Sequence, residues 1–295
     1  MKIIQRGISS LASRGLLNFL SDEYYIKLLY KIKIGTKLDL NHPKTFSEKI
    51  QWLKLYDRDP LYHDLVDKYA VKKYVAEKIG KQYIIPTLGV WDNFDDIDFS
   101  TLPSQFVIKC THDSGGVVIC KDKSTFNMNT AKRKINKSLN NSYYWHGREW
   151  PYLGLKPRIL AEKYMENEDK SACLTDYKFY CFNGIPKYCQ VISDRSKDEK
   201  IDFYDMNWTH LEFNGLAEPD APYGFSKKKI ECPKTFQEMK QLTQLLSPKC
   251  PFSRIDLYEI HDRPFFGEIT FYPASGFGIF QPEKWNYILG DLIQI

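Results

Sequence analysis

Short runs of alternating apolar and polar residues, each closed by turn residues, predict several strands, with a few stretches of helical period between them. The most regular pair spans residues 254–271: Asp256 and Glu268 each sit within an apolar stretch, and His261, Asp262 and Arg263 form the loop between them. Side chains alternate faces along a strand, so Arg254 and Asp256 share one face, and Glu268 and Thr270 share a face of the next strand. Residues 105–120 read as strand, glycine turn, strand, with Lys109 interrupting the first strand and Ser114, Gly115 and Gly116 in the turn. Residues 157–163 are an apolar strand leading into Tyr164, Met165 and Glu166. Residues 176–182 alternate and run into Asn183 and Gly184, a strong hairpin signal that puts Asp176, Lys178 and Tyr180 on one face. A Thr45/Glu48 capping box opens a helix through Tyr56, with Ile50, Leu53 and the Trp52/Tyr56 pair as apolar ridges. Further helices are expected over 62–79, carrying Asp67 and Lys68, and over 123–141, with Ser124 as cap; residues 92–102 read as an acidic loop.

Two carboxylates on neighbouring strands, with an arginine beside them, suit Mg²⁺ held against a phosphate chain, because hard cations take oxygen ligands. The same pattern also fits a hairpin whose charges face water. A lysine inside an apolar strand calls for an anion, and a Ser-Gly-Gly turn can aim successive backbone N–H groups at one. Lys109 and residues 112–116 therefore suit ATP phosphates, with a tight hairpin and a solvated lysine as the alternative. Neither the P-loop nor the dinucleotide-binding glycine pattern occurs.

Lysine strand, glycine loop, Glu162-Lys163 linker, second lysine strand, then Asp and Glu strands, in this order, resemble the ATP-grasp superfamily. More narrowly, residues from about Asn41 to Leu292 are similar to its TupA-like, teichuronopeptide-synthesis branch. The pieces that carry the resemblance are residues 43–56, Asp67 to Tyr69, Phe106 to Cys110 with the glycine loop, Gly147 to Pro151, residues 176–184 and residues 267–276. The resemblance implies an α+β protein of the ATP-grasp fold, with two antiparallel-sheet lobes gripping ATP and an N-terminal helical extension. It divides the chain into a basic extension (1–40), a helical preceding lobe (41–104), a subdomain with the phosphate loop and adenine hinge (105–170) and a subdomain with the metal and phosphate strands (171–295).

It further implies an ATP- and Mg²⁺-dependent carboxylate–amine ligase working through an acyl phosphate, joining an amino acid or peptide to a cell-surface polysaccharide or its uronic-acid precursor. Lys109 and Lys163 are expected on the nucleotide, with His112, Ser114, Gly115 and Gly116 closing over its phosphates. His112 is expected to donate a hydrogen bond there rather than act as a base. Glu162, Tyr164 and Met165 are expected around the adenine and Glu166 near the ribose. Lys178 should reach the phosphates from the other lobe, and Arg254 should stabilise the transferring phosphoryl group. Asp256 and Glu268 are the expected metal ligands; Thr270 stands where such enzymes commonly carry asparagine, and its hydroxyl is the weaker ligand. Members of this branch often bear the label glycosyltransferase, so a capsule or O-antigen glycosyltransferase using a nucleotide sugar is the alternative. A non-catalytic nucleotide-binding scaffold is a third reading, against which Lys109, Lys178, Asp256 and Glu268 all stand.

Composition narrows the field less. At 295 residues, 43% hydrophobic and 15% aromatic, the chain can bury a large core, and no apolar run is long enough to span a bilayer. A net charge of +5 with both signs interspersed does not argue for nucleic acid, and Lys227, Lys228 and Lys229 read as a solvated loop. Seven cysteines without C-x-x-C spacing, several in apolar strands, read as reduced buried thiols and fit a cytoplasmic protein. The first twenty residues lack the apolar core of a secretory signal. Lys2, Arg6 and Arg14, with Ile4, Ile8 and Leu11 at helical spacing, fit either a weak contact with the inner face of the membrane or a helix docked on the body. Tyr143, Tyr144, Trp145, His146 and Arg148 fit either a clamp for a sugar or anion or packing between lobes.

Overall fold

The computed structural model describes residues 11–12, 15–166, 174–193, 200–217, 224–225 and 230–295. The expectations for Lys2, Ile4, Arg6, Ile8, Arg14 and residues 227–229 lie outside the described residues.

The helices are α1 (Asp22–Lys33), α2 (Phe46–Tyr56), α3 (Leu61–Val66), α4 (Val71–Lys78), α5 (Met128–Leu139), α6 (Tyr144–Gly147), α7 (Phe236–Leu246) and α8 (Lys284–Asp291). The strands are β1 (Thr87–Trp91), β2 (Phe106–Cys110), β3 (Val117–Cys120), β4 (Ile159–Lys163), β5 (Asp176–Phe182), β6 (Ile185–Ser193), β7 (Lys200–Asp205), β8 (His210–Leu211), β9 (Asn214–Ala217), β10 (Phe252–Glu259), β11 (Pro264–Thr270) and β12 (Ile279–Gln281). They form a four-stranded sheet in the order β1-β4-β2-β3, a six-stranded sheet in the order β11-β10-β5-β6-β7-β8, and a small β12-β9 pair. All these pairings are antiparallel. The α+β class with two antiparallel sheets is thus what the chain adopts. Thr87–Trp91, inside the span expected to be a helical lobe, is an edge strand of the first sheet.

Both hairpin turns read from the sequence form for the expected reason. Asn183 and Gly184 have φ of 50° and 80°, and His261 and Asp262 have φ of 52° and 54°, so each pair sits in the left-handed region that tight hairpins require. Helix α2 begins with the expected capping box: Thr45 accepts from the Glu48 N–H, and Glu48 Oε2 accepts from the Thr45 N–H at 3.0 Å. The expected helix over 62–79 is two helices instead. Asp67 turns extended, and its Oδ1 accepts from the N–H groups of Tyr69 and Ala70 at 2.9 and 2.8 Å, a local bond that ends one helix and starts the next. Residues 123–141 likewise start later than expected. Ser124 bonds back to Asp122, and Asn127, accepting from Thr130 N at 2.9 Å, caps α5.

Each sheet buries one face against a helix. Phe106, Ile108 and Ile159 of the first sheet pack on Ala131 and Ile135 of α5. In the second sheet Phe179, Cys181 and Val191 pack with Phe236, Met239 and Leu246 of α7, and each such side chain contributes roughly 1.5–3 kcal/mol. Tyr25, Ile26 and Leu29 of α1 close on Leu38, Leu40 and Phe277, so this part of the N-terminal extension is docked on the body. Helix α8 crosses the start of α2 so closely that a Cβ at Gly290 would meet Lys44 O and Phe46 N. Gly290→Ala is therefore expected to cost roughly 1–3 kcal/mol in urea unfolding, and an unchanged midpoint would contradict this packing. Among the described cysteines, Cys110, Cys120, Cys181, Cys189 and Cys250 are buried free thiols, while Cys232 is exposed.

Candidate active site

The register of the second sheet assembles a charged row. Asp256 on β10 stands opposite Lys178 on β5 and Glu268 on β11, and Arg254 stands opposite Thr270. Cross-strand partners share a face, so all five side chains meet. The Arg254 guanidinium donates to Asp256 Oδ1 and Oδ2 at 2.7 and 2.8 Å, to Glu268 Oε1 at 3.0 Å and to the Thr270 hydroxyl at 3.2 Å. Lys178 donates to Asp256 Oδ2 and lies 3.4 Å from Asp176. Asp256 is only 1% exposed: burial raises its carboxyl above the ordinary value, and the directly bonded Arg254 and Lys178 oppose that rise. The Glu268 side chain opens to the cleft at 44% exposure; burial opposes its charge, but Lys178, Arg254 and Lys68 outweigh that and hold it at about 2.

The first sheet presents a second row. Glu162 on β4 takes two ammoniums, Lys109 Nζ at 2.5 Å and Lys72 Nζ at 2.5 Å, and Lys72 also donates to the Thr87 hydroxyl and the Ile85 carbonyl at 2.8 Å. Burial would raise the Glu162 carboxyl, but these two lysines leave it below its ordinary value. Lys68 joins the rows. Its backbone N–H donates to Thr111 O at 3.0 Å, its ammonium donates to the Asp113 carbonyl, and the charges of Glu268 and Lys109 both act on it. Burial is the largest influence and lowers the Lys68 ammonium. A cavity of about 900 Å³ adjoins this region and shares Lys72 with it, and its other walls include Tyr69, Ala76, Ile84, Pro86 and Arg158.

The structure places the other expected residues as follows. Glu162 is buried, and Lys109 with Lys72 supply the counter-charge its carboxylate needs. Lys163 follows Glu162 on the same strand, so alternation turns its exposed side chain to the opposite face. His112 is 3% exposed, and its Nε2 is 3.0 Å from Asn141 O rather than turned outward from the loop. Its Nδ1 is buried without a hydrogen-bond partner among the described residues. Ser114 and Gly115 are exposed, and Gly115 has φ 121°. Gly116 is buried where a Cβ would strike the hydrogen-bonded Ser138 and Asp113 side chains. Tyr164, Met165 and Glu166 follow β4, half-buried. Arg148 is no clamp for a ligand. At 2% exposure its guanidinium lies 4.3 Å from the Trp145 ring centroid and 4.5 Å from that of Tyr25, and it donates to the carbonyls of Leu17, Asn18 and Leu20.

Lys72 was not singled out in the sequence. Its signal was the Asp67-Lys68 pair followed four residues later by another lysine, hidden while residues 62–79 read as one helix. Asp256, Glu268 and Thr270 together offer hard oxygen donors suited to Mg²⁺, with Glu268 the one open to the cleft. Among the described residues no group of three or more His, Cys, Asp or Glu gathers as a metal cluster, so a cation here would draw its remaining ligands from phosphate and water.

Known proteins bear on this arrangement. Residues 48–294 match the family described as TupA-like ATPgrasp. No curated protein matches the chain in sequence. Among solved structures, D-alanine–D-alanine ligase from Bacillus anthracis complexed with ATP is 16% identical, with 72% of this chain and 54% of that one covered and a TM-score of 0.40. D-alanine–D-alanine ligase from Helicobacter pylori is 16% identical, covering 84% and 69% with a TM-score of 0.42. L-amino acid ligase from Bacillus licheniformis is 13% identical, covering 92% and 56% with a TM-score of 0.41. The chain thus spans about half the length of the first of these relatives. With 247 of its residues inside the family match, the chain belongs to the TupA-like ATP-grasp family.

Proposed function

We propose that this protein is an ATP- and Mg²⁺-dependent carboxylate–amine ligase that attaches an amino acid or peptide to a cell-surface polysaccharide or to its uronic-acid precursor. The observation that carries the reading is the pair of facing rows, with Lys109 and Lys72 on one side, Arg254, Lys178 and Glu268 on the other, and Lys68 between them. Family membership supports ATP as the nucleotide.

In this reading a substrate carboxylate oxygen attacks the γ-phosphorus, the bond to ADP breaks, and an acyl phosphate forms. An amine nitrogen then attacks the acyl carbon, phosphate leaves and an amide remains. Bound Mg²⁺ supplies charge neutralisation among the phosphate oxygens. Lys109, Lys68 and Lys72 neutralise the triphosphate, with Glu162 holding two of them in place. Arg254, fixed by Asp256, faces the transferring phosphoryl group and adds fixed positive charge where charge develops. The turn with Ser114, Gly115 and Gly116 follows the Lys109 strand and, in this reading, shields the acyl phosphate from water.

The supporting experiment is a screen of the purified protein for release of ADP and phosphate, with amino acids and uronic-acid acceptors supplied together. Release that requires both partners is expected; release of a nucleoside diphosphate from a nucleotide sugar, with ATP inert, would replace the ligase reading. Among the described residues no helix is long and apolar enough to cross a membrane. Work on a surface-polymer precursor fits a cytoplasmic site, at or near the inner face of the membrane.

A further inference from the structure

Beside the charged rows lies a second, smaller cavity of about 200 Å³, whose walls include Tyr25, Lys33, Tyr143, Glu149, Ser275 and Phe277. It abuts the candidate phosphate site through Tyr143. The Tyr143 hydroxyl lies near Ser114 of the glycine turn, and the charges of Glu149 and Glu268 both act on it. The Tyr152 hydroxyl feels Glu149, Glu268 and Arg254 together. Pocket and phosphate site are therefore neighbours.

The pocket is chemically two-ended. Glu149 is 5% exposed, and its carboxyl is raised by burial, with the charge of Lys54 acting against that rise. Lys54 lies behind the wall at 0% exposure. It donates to Gly147 O at 2.8 Å and to Ser275 O and Oγ at 2.6 and 2.9 Å, and burial pushes it down to about 7. At the exposed end, Lys33 Nζ stands 5.3 Å from the Phe277 ring centroid.

Two ionisable groups buried near one another without a direct ion pair are costly to the fold. The backbone here is also unusual. Ala274 and Ser275 both have positive φ, 48° and 53°, and such non-glycine positions cost on the order of 1–3 kcal/mol each. Gln51 and Lys54 hold this loop in place through the carbonyls of Ser275 and Gly276. A buried carboxyl lining a cavity beside a strained loop points to a ligand rather than to stability.

The ligand class follows from the walls. A buried carboxyl in a cavity walled by Tyr25, Tyr143 and Phe277 suits an ammonium group. A lysine at the mouth suits a carboxylate. The volume is below the range of ordinary drug-sized sites, so it fits one small residue and not a polymer segment. We propose that this pocket receives the amine-bearing substrate of the ligase, an α-amino acid free or at the end of a longer chain, with its ammonium on Glu149 and its carboxylate toward Lys33. The proposal rests on the ligase reading for its role but not for its chemistry.

The test is ligand-observed saturation-transfer NMR on the full chain with Mg²⁺ and a non-hydrolysable ATP analogue. The probes are the α-amino acids, alkylamines of matching size, and the matching carboxylates without an amino group. One or more amino acids should bind, alkylamines more weakly and the carboxylates not at all. Glu149→Gln should weaken amino-acid binding at least tenfold, and Lys33→Met, an exposed change that leaves the fold alone, by several-fold. Should Glu149→Gln fail to fold beside an unpaired Lys54, the double variant Glu149→Gln with Lys54→Met removes both charges and carries the same expectation. Binding of the carboxylates equal to that of the amino acids, binding indifferent to these substitutions, or no amino-acid binding by a protein that does bind Mg·ATP would overturn the proposal. Amino-acid binding that depends on Glu149 in a protein blind to Mg·ATP would keep the pocket and remove the ligase reading instead.

Discussion

Asp256→Asn is expected to lower the stability of the folded protein by roughly 3–5 kcal/mol, because it leaves buried cations without their shared anion. Asp256 is 1% exposed and accepts two bonds from Arg254 and one from Lys178. After the change Lys178 keeps Asp176 at 3.4 Å, and Arg254 keeps Glu268 at 3.0 Å and the Thr270 hydroxyl. Read as a metal ligand alone, Asp256 would be dispensable to the fold; its place between two cations makes it structural as well. Urea unfolding of the ligand-free variant measures this directly. A loss under about 1 kcal/mol, the range of an exposed ion pair, would mean that the Asp256 carboxylate is not the counter-charge described. Lys178→Met should be milder than Asp256→Asn, since Arg254 still neutralises Asp256.

Lys109→Ala has the largest expected effect on turnover. Its ammonium sits on β2 beside Glu162, and Lys72 on the other side of that carboxylate can keep Glu162 neutralised once Lys109 is gone. The fold should therefore survive. If Lys109 contacts phosphate in the transition state, its loss removes about 3–4 kcal/mol, or roughly 10²–10³ in kcat/KM for ATP. A variant within threefold of the wild type would strip Lys109 of that role. Lys72→Met at the neighbouring position separates contact from charge balance: equal losses from both variants would indicate that the Glu162 cluster acts as a unit.

The parts of the fold legible in the sequence are those specified locally. The alternation of Arg254, Asp256, Glu268 and Thr270 put four side chains on one face of neighbouring strands, and the His261-Asp262 turn sets the register that brings Glu268 opposite Asp256; the β5–β10 pairing that brings Lys178 opposite Asp256 joins residues 78 apart and is set by no local turn. The Thr45/Glu48 capping box fixed the start of α2 for the same reason. What local pattern hides is partnership. The Lys72–Glu162 pair joins residues 90 positions apart, and Lys54 with Ser275 joins residues 221 apart. Nothing in either neighbourhood says which charge a buried lysine will meet. Arg148 shows the converse: its aromatic neighbours in sequence left a ligand clamp and packing between lobes equally open, and the carbonyls it caps belong to Leu17, Asn18 and Leu20, over a hundred positions away. Asp67 ended a helix that periodicity alone carried through, because a single side-chain bond to two backbone N–H groups outweighs a run of helix formers.

The central claim is that Glu268, open to the cleft while Arg254 and Lys178 hold Asp256 beneath it, completes an Mg·ATP site. Thermal unfolding with ATP, ADP and nucleotide sugars, each with and without Mg²⁺, in wild type and Glu268→Gln, tests it most directly. Mg·ATP at a hundredfold excess over its Kd should add about 2.7 kcal/mol to the wild type. That gain should shrink without Mg²⁺ and vanish in Glu268→Gln, whose ligand-free stability stays near that of the wild type. A wild type stabilised only by a nucleotide sugar, or a Glu268→Gln variant that responds to Mg·ATP as fully as the wild type, would contradict the account.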